Sequence, residues 1–173
     1  MINLNQEFKE NEFVYLIIPD ATHYLDTINA TLKHLINSKK MECIYVTVAR
    51  PFDVVSKSLK EKGIDISKIR FVDLVSKHGS SDSCVFINPA NLAGLEIALG
   101  KEVKIPENKL IFLDSLSSLL TNNDIKDVSK FMYSFVRKVR DWKANAVTIS
   151  LAKEIEDETL DIFSQICDKT IRD

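Results

Sequence analysis

Four long apolar, β-favouring runs constrain the fold of this chain most: residues 13–18 (FVYLII), 43–48 (CIYVTV), 109–114 (KLIFLD) and 146–151 (AVTISL). None alternates polar with apolar, so each reads as a strand buried on both faces. Helical spacing separates them. Leu25, Ile28, Leu32, Leu35 and Ile36 follow the first run, and Val54, Val55 and Leu59 follow the second, closing at a Gly63 C-cap. Leu92, Leu95, Leu99 and Val103 precede the third run. Val128, Phe131, Met132, Phe135, Val139 and Trp142 form a stripe before the fourth, on a helix that Asp127 is placed to cap. Residues 69–73 and 84–87 read as short strands, 159–166 as a helix, and 169–172 as a terminal edge strand. Buried strands alternating with amphipathic helices predict a three-layer α/β/α fold, a mostly parallel sheet with helices on both faces. With 173 residues, one domain spanning 1–173 is expected.

Composition narrows the function classes. The chain carries 23 basic and 25 acidic side chains, a formal charge of −2 that gives no overall drive toward nucleic acid or an acidic membrane. No apolar run approaches the roughly 18 residues that a membrane span needs. The first ten residues include acidic side chains and lack the apolar core of a signal peptide, so a cytoplasmic location is expected. Cys43, Cys84 and Cys167 are scattered and form no CxxC pair, and they read as small buried hydrophobes.

In parallel sheets of this kind, ligands bind beyond the carboxyl ends of the strands. The segments that matter are therefore 19–27, 49–51, 114–118 and 152–155. The first begins at Asp20, which fits the N-cap of the following helix. Asp20, His23 and Asp26 recur every three residues, a spacing that drifts around a helix and makes a poor metal site. Asp114 ends the third long strand, where an open cleft would solvate it. Ser115, Ser117 and Ser118 have no GxSxG elbow and no neighbouring histidine, so none reads as a nucleophile. His34 and His78 lie in polar settings and are expected to face water. Thr47, Thr148 and Ser150 should hydrogen-bond across or near the sheet. Phe131, Phe135 and Trp142 read as core. Lys126, Lys130, Arg137, Lys138, Arg140 and Lys143 make a solvated face, with Arg137 and Arg140 available to a partner.

The order of these elements resembles the KaiC-like branch of the RecA-type ATPases over nearly the whole chain. Residues 15–18 followed by a helix are similar to the strand before a Walker A loop. Residues 44–48, the helix closing at 62–65 and the strand 69–73 are similar to the next unit. Residues 110–117 (LIFLDSLS) resemble a Walker B strand with its terminal Asp-Ser, and residues 131–142 with 146–150 resemble the arm behind it. The resemblance implies a RecA-like sheet and an ancestral nucleotide site.

The departures from that family set the functional expectation. A P-loop reads GxxxxGK[ST], with glycines for the turn, lysine on the β/γ phosphates and a hydroxyl on Mg²⁺. The matching slot here is residues 20–27 (DATHYLDT), which puts Asp20 and Leu25 where the glycines belong and Asp26 where the lysine belongs. Only Thr27 survives. No glycine or lysine occurs anywhere from Pro19 to Leu32, and the Gly94…Gly100-Lys101 spacing is one residue too long and lies within a helical period. Two unit charges about 4 Å apart near a surface interact by roughly 4 kcal/mol, so exchanging lysine for aspartate removes several decades of triphosphate affinity. The family's acids after the second strand are replaced by Ala49-Arg50-Pro51. The resemblance therefore implies a pseudo-ATPase, similar to mostly archaeal relatives without the phosphate loop. It keeps no catalytic residue, cofactor or metal, and leaves a degenerate nucleotide site of Asp20, Thr22, His23, Asp26, Thr27, Asp114 and Ser115. A regulatory or protein-interaction module, with a protein partner or a homo-oligomer, is the expected role. The alternatives are a residual nucleotide binder or weak ATPase using Asp114, and a small metal-dependent hydrolase using Asp20, His23 and Asp26.

Overall fold

The apolar runs become strands with scarcely a solvent-facing residue. In the computed structural model, which describes residues 4–9, 12–76, 81–103, 109–151 and 155–172, every residue of β1 (Val14–Ile18), β5 (Lys109–Asp114) and β6 (Asn145–Ile149) is buried. In β2 (Glu42–Thr47) only Glu42 is exposed. With β3 (Ile69–Asp73), β4 (Cys84–Phe86) and β7 (Lys169–Arg172), they pair in parallel in the order β4-β3-β2-β5-β6-β1-β7.

The helices sort by the direction of the chain across the sheet. The short α1 (Leu4–Glu7), α2 (Tyr24–Leu32) and α3 (Phe52–Glu61) cover one face, where Phe8, Ile28, Leu32, Val55 and Leu59 pack with Tyr45 and Phe112. The other face carries α4 (Leu92–Val103), the one-turn α5 (Leu116–Leu119), α6 (Ile125–Asp141) and α7 (Asp157–Ile166). The connections from β1 to β2 and from β2 to β3 run one way across the sheet. The later helical crossovers run the other way, and a right-handed crossover changes face when its direction reverses. The order therefore creates a switch between β2 and β5, whose following helices leave to opposite faces.

Local chemistry agrees with most of the expected boundaries and corrects some. Gly63 follows α3 with φ +74, the left-handed conformation that a helix end needs. Gly94 and Gly100 lie inside α4, and the Trp142 ring sits close against Gly100. Asp124, not Asp127, caps α6 by accepting the Asp127 N–H at 2.8 Å; Asp127 occupies the first turn, where its charge suits the helix dipole. The helix after β1 continues as a π-helix over Lys33–Ser38, and α5 has no counterpart in the periodicity because one turn is too short to leave any. Phe131 and Phe135 are core and Trp142 packs against it, as expected. The three cysteines are buried and free, and burial pushes the Cys84 thiol up to about 11 and the Cys167 thiol up to about 12. On the α6 face, Arg140 is paired with Asp168 at 2.8 Å and Lys138 with Glu96 at 2.5 Å. His34 is half-buried beside Phe8 rather than facing water, and His78 lies outside the described residues.

Candidate functional site

The switch between β2 and β5 is where a ligand of this fold would be sought, and Asp114 stands in it. Asp114 is the last residue of β5, in register with Thr47 at the end of β2. The expected open, solvated cleft is not what surrounds it, because Asp114 is only 1% exposed. Its Oδ1 accepts a hydrogen bond from the Tyr24 hydroxyl, and its Oδ2 from the Tyr45 hydroxyl and from Arg50 Nη2 at 3.2 Å. A buried carboxylate costs several kcal/mol unless it is paired and hydrogen-bonded, and these three donors meet that requirement.

Each donor arrives by a different route. Tyr45 belongs to β2 and stacks on Phe112 of β5 at 5.4 Å, which places its ring under α2 and its hydroxyl at the strand end. Arg50 follows β2, in a turn tied down by the Thr47 hydroxyl donating to the Arg50 carbonyl. Tyr24 opens α2, the helix that follows β1. Burial, reinforced by the Asp114 charge, raises both phenols well above the ordinary tyrosine range, so both remain protonated donors.

Of the other residues expected in the degenerate site, Ser115 borders the network through its hydroxyl beside Tyr24, and the rest do not converge on Asp114. Asp20 caps a 3-10 turn over Ala21–His23, accepting the Thr22 N–H at 2.9 Å and the Thr22 hydroxyl at 2.6 Å, so both side chains serve local structure. His23 and Asp26 are exposed, Asp26 in the first turn of α2. Thr27 is buried in the same helix. Ser115 caps α5, accepting the Ser118 N–H at 3.3 Å. Among the described residues, no group of three His, Cys, Asp or Glu side chains is placed to hold a metal ion.

Sequence reasoning passed over Tyr24 and Tyr45 and read Arg50 only as a missing acid. The one signal was electrostatic: the base Arg50 just after β2, opposite the Asp114 carboxylate at the end of β5. Thr148 and Ser150 also depart from expectation, since their buried hydroxyls make no hydrogen bond among the described residues and only Thr47 bonds as expected. The segment 152–154 lies outside the described residues.

No protein-family description matches the sequence, and no curated protein matches it. Solved structures do match its shape. The KaiC-like protein PH0186 from the hyperthermophilic archaeon Pyrococcus horikoshii OT3 aligns with a TM-score of 0.70 at 13% identity, over 94% of this chain and 71% of that one. A second protein from Pyrococcus horikoshii OT3, studied as Project ID PH0250, aligns with a TM-score of 0.63 at 14% identity, over 99% of this chain and 87% of that one. At such identities the likeness carries the fold alone. This chain has a KaiC-like, RecA-type fold, a three-layer α/β/α sandwich with a side-chain network in its β2/β5 switch.

Proposed function

We propose that the chain is a non-catalytic module on the KaiC-like fold, a pseudo-ATPase that acts through protein contacts. One observation carries this reading: the carboxylate at the end of β5 has both oxygens occupied by the protein's own Tyr24, Tyr45 and Arg50. An acid that is to organise a hydrated Mg²⁺ needs at least one oxygen open to solvent. The slot before α2 adds Asp20 and Asp26, which repel a triphosphate, and has no lysine to attract it. Two half-exposed hydrophobes, Leu25 at 49% and Val54 at 50%, lie in the first turns of α2 and α3 beside the strand ends. Such residues at the rim of a closed site suit a protein contact better than a polar substrate.

Titration calorimetry and thermal shift with ATP and ADP, each with Mg²⁺, test the reading. The expected result is no saturable binding up to millimolar nucleotide and no rise in Tm. Micromolar binding that disappears in Asp114→Asn would overturn it in favour of a residual nucleotide site. Light scattering after size exclusion, comparing the wild type with Leu25→Asp/Val54→Asp, tests the contact surface if the chain self-associates.

A further inference from the structure

A cavity of about 620 Å³ opens on the opposite side of the sheet from Tyr24, beyond the carboxyl ends of β2, β3 and β4. Val48 and Leu74 form its floor with Ile87, and all three side chains belong to the α4–α7 side of the core. Pro89 and the loop before α6 complete the wall. Its volume is within the roughly 300–1,000 Å³ usual for small-molecule sites.

Two features give the cavity a chemical preference. First, it is pre-formed. Buried Asp73 accepts the N–H groups of Val75 and Ser76 at 2.6 and 2.9 Å and the Ser76 hydroxyl at 2.7 Å, which sets one wall. Asn123 Nδ2 donates to the Pro89 carbonyl at 2.9 Å, which ties the opposite wall together. Second, none of the described lining residues is ionisable, although 28% of the chain is charged and Asp114 with Arg50 lies at the neighbouring strand ends. A charged ligand would lose hydration against these residues without gaining a counter-charge from them. The polar groups on offer are side-chain amides. Asn88 uses its Oδ1 to accept the Ala90 N–H at 2.9 Å, which leaves its Nδ2 as a donor, and the Asn122 amide makes no hydrogen bond among the described residues.

We propose that this cavity is a binding site for a small uncharged amide, with an apolar body against Val48, Leu74 and Ile87 and carbonyl oxygens accepting from Asn88 and Asn122. The site is separate from the Asp114 network, and its occupancy does not depend on whether the chain binds nucleotide.

A matched pair of probes tests it. Saturation-transfer NMR with N-acetylleucinamide should give a saturable signal, and the anionic N-acetylleucine should bind at least about tenfold more weakly. Val75→Trp, which fills the cavity, should abolish the signal in a protein with unchanged circular dichroism. Asn122→Ala, an exposed position, should weaken binding about threefold to tenfold, the loss of one neutral hydrogen bond. A flat response to the amide, equal affinity for the two probes, or binding untouched by Asn122→Ala would each overturn the proposal. Should Val75→Trp fail to fold, the Asn122 comparison decides alone.

Discussion

Two buried aspartates flank the end of β2 and are satisfied in opposite ways. Thr47 is in register with Asp73 on one side and with Asp114 on the other. Asp73 is fully buried and takes most of its donors from the backbone, namely Val75, Ser76 and, across the loop, the first N–H of α3 at Phe52, at 2.9 Å, with the Ser76 hydroxyl as a local side-chain donor. Asp114 takes all of its donors from side chains that lie 64 to 90 residues away. The first is a corner brace, made by amides that are orphaned wherever a strand turns into a loop or helix. The second is a buried side-chain network, assembled from three separate segments of the chain. A carboxylate at a strand end is therefore not by itself a mark of function, and the source of its donors distinguishes a local brace from a long-range network.

Four experiments break or sharpen this contrast, from the largest expected effect to the smallest. Asp114→Ala should destabilise the fold by about 3–5 kcal/mol in urea unfolding, because it strands a partly buried guanidinium and two phenols. Asp73→Ala should cost about 2–3 kcal/mol, the loss of several charge-assisted hydrogen bonds. The two should also differ in how they propagate, with Asp73→Ala speeding hydrogen exchange at Phe52, Val75 and Ser76 and Asp114→Ala loosening the start of α2. Burial works to raise the Asp73 pKa, but the amides of Ser76, Phe52 and Val75 outweigh it and hold the group below the ordinary carboxylate range. The unfolded chain then binds the proton more readily. Asp73 thus stabilises the fold above about pH 3.9, and that contribution is lost as pH falls through its lower folded value. Asp73→Asn should flatten this acid limb of the stability profile.

Smaller effects dissect the network. Tyr45→Phe should cost about 1–1.5 kcal/mol and Tyr24→Phe somewhat less, since Tyr45 is fully buried and Tyr24 only partly. A double-mutant cycle between them should give a non-zero coupling, which a pair of independent braces would not show. The smallest effect belongs to His34. Burial, and then the Lys39 charge, lowers its pKa, so the unfolded chain takes up the proton first as pH drops below about 6.5. Stability should therefore decline as pH falls from 7.5 to 5.5, and His34→Gln should remove that slope in thermal melts.

Much of the architecture was legible because it is written at short range. Unbroken apolar runs specify strands buried on both faces, periods of three and four specify the helices between them, and Gly63 announces its own positive φ. The errors were also local, as with Asp124 and Asp127, both good caps three residues apart, where the next turn chooses between them. The site was less legible. Asp20 was readable as a cap, since its partner is two residues away. Tyr24 and Tyr45 left no such trace, because a tyrosine in a β-favouring run and another opening a helix look like core from the sequence, and Arg50 showed only its charge.

The sequence by itself determined the layers of this protein and the absence of glycine and lysine from residues 19–32, since both are properties of contiguous residues. Only the tertiary structure decided the surroundings of Asp114. The sheet order sets β5 beside β2, and the α2 crossover returns Tyr24 over that edge. A carboxylate expected to be solvated is instead neutralised and sealed by three donors. Desolvating a charge is affordable only where the fold supplies all of its partners at once.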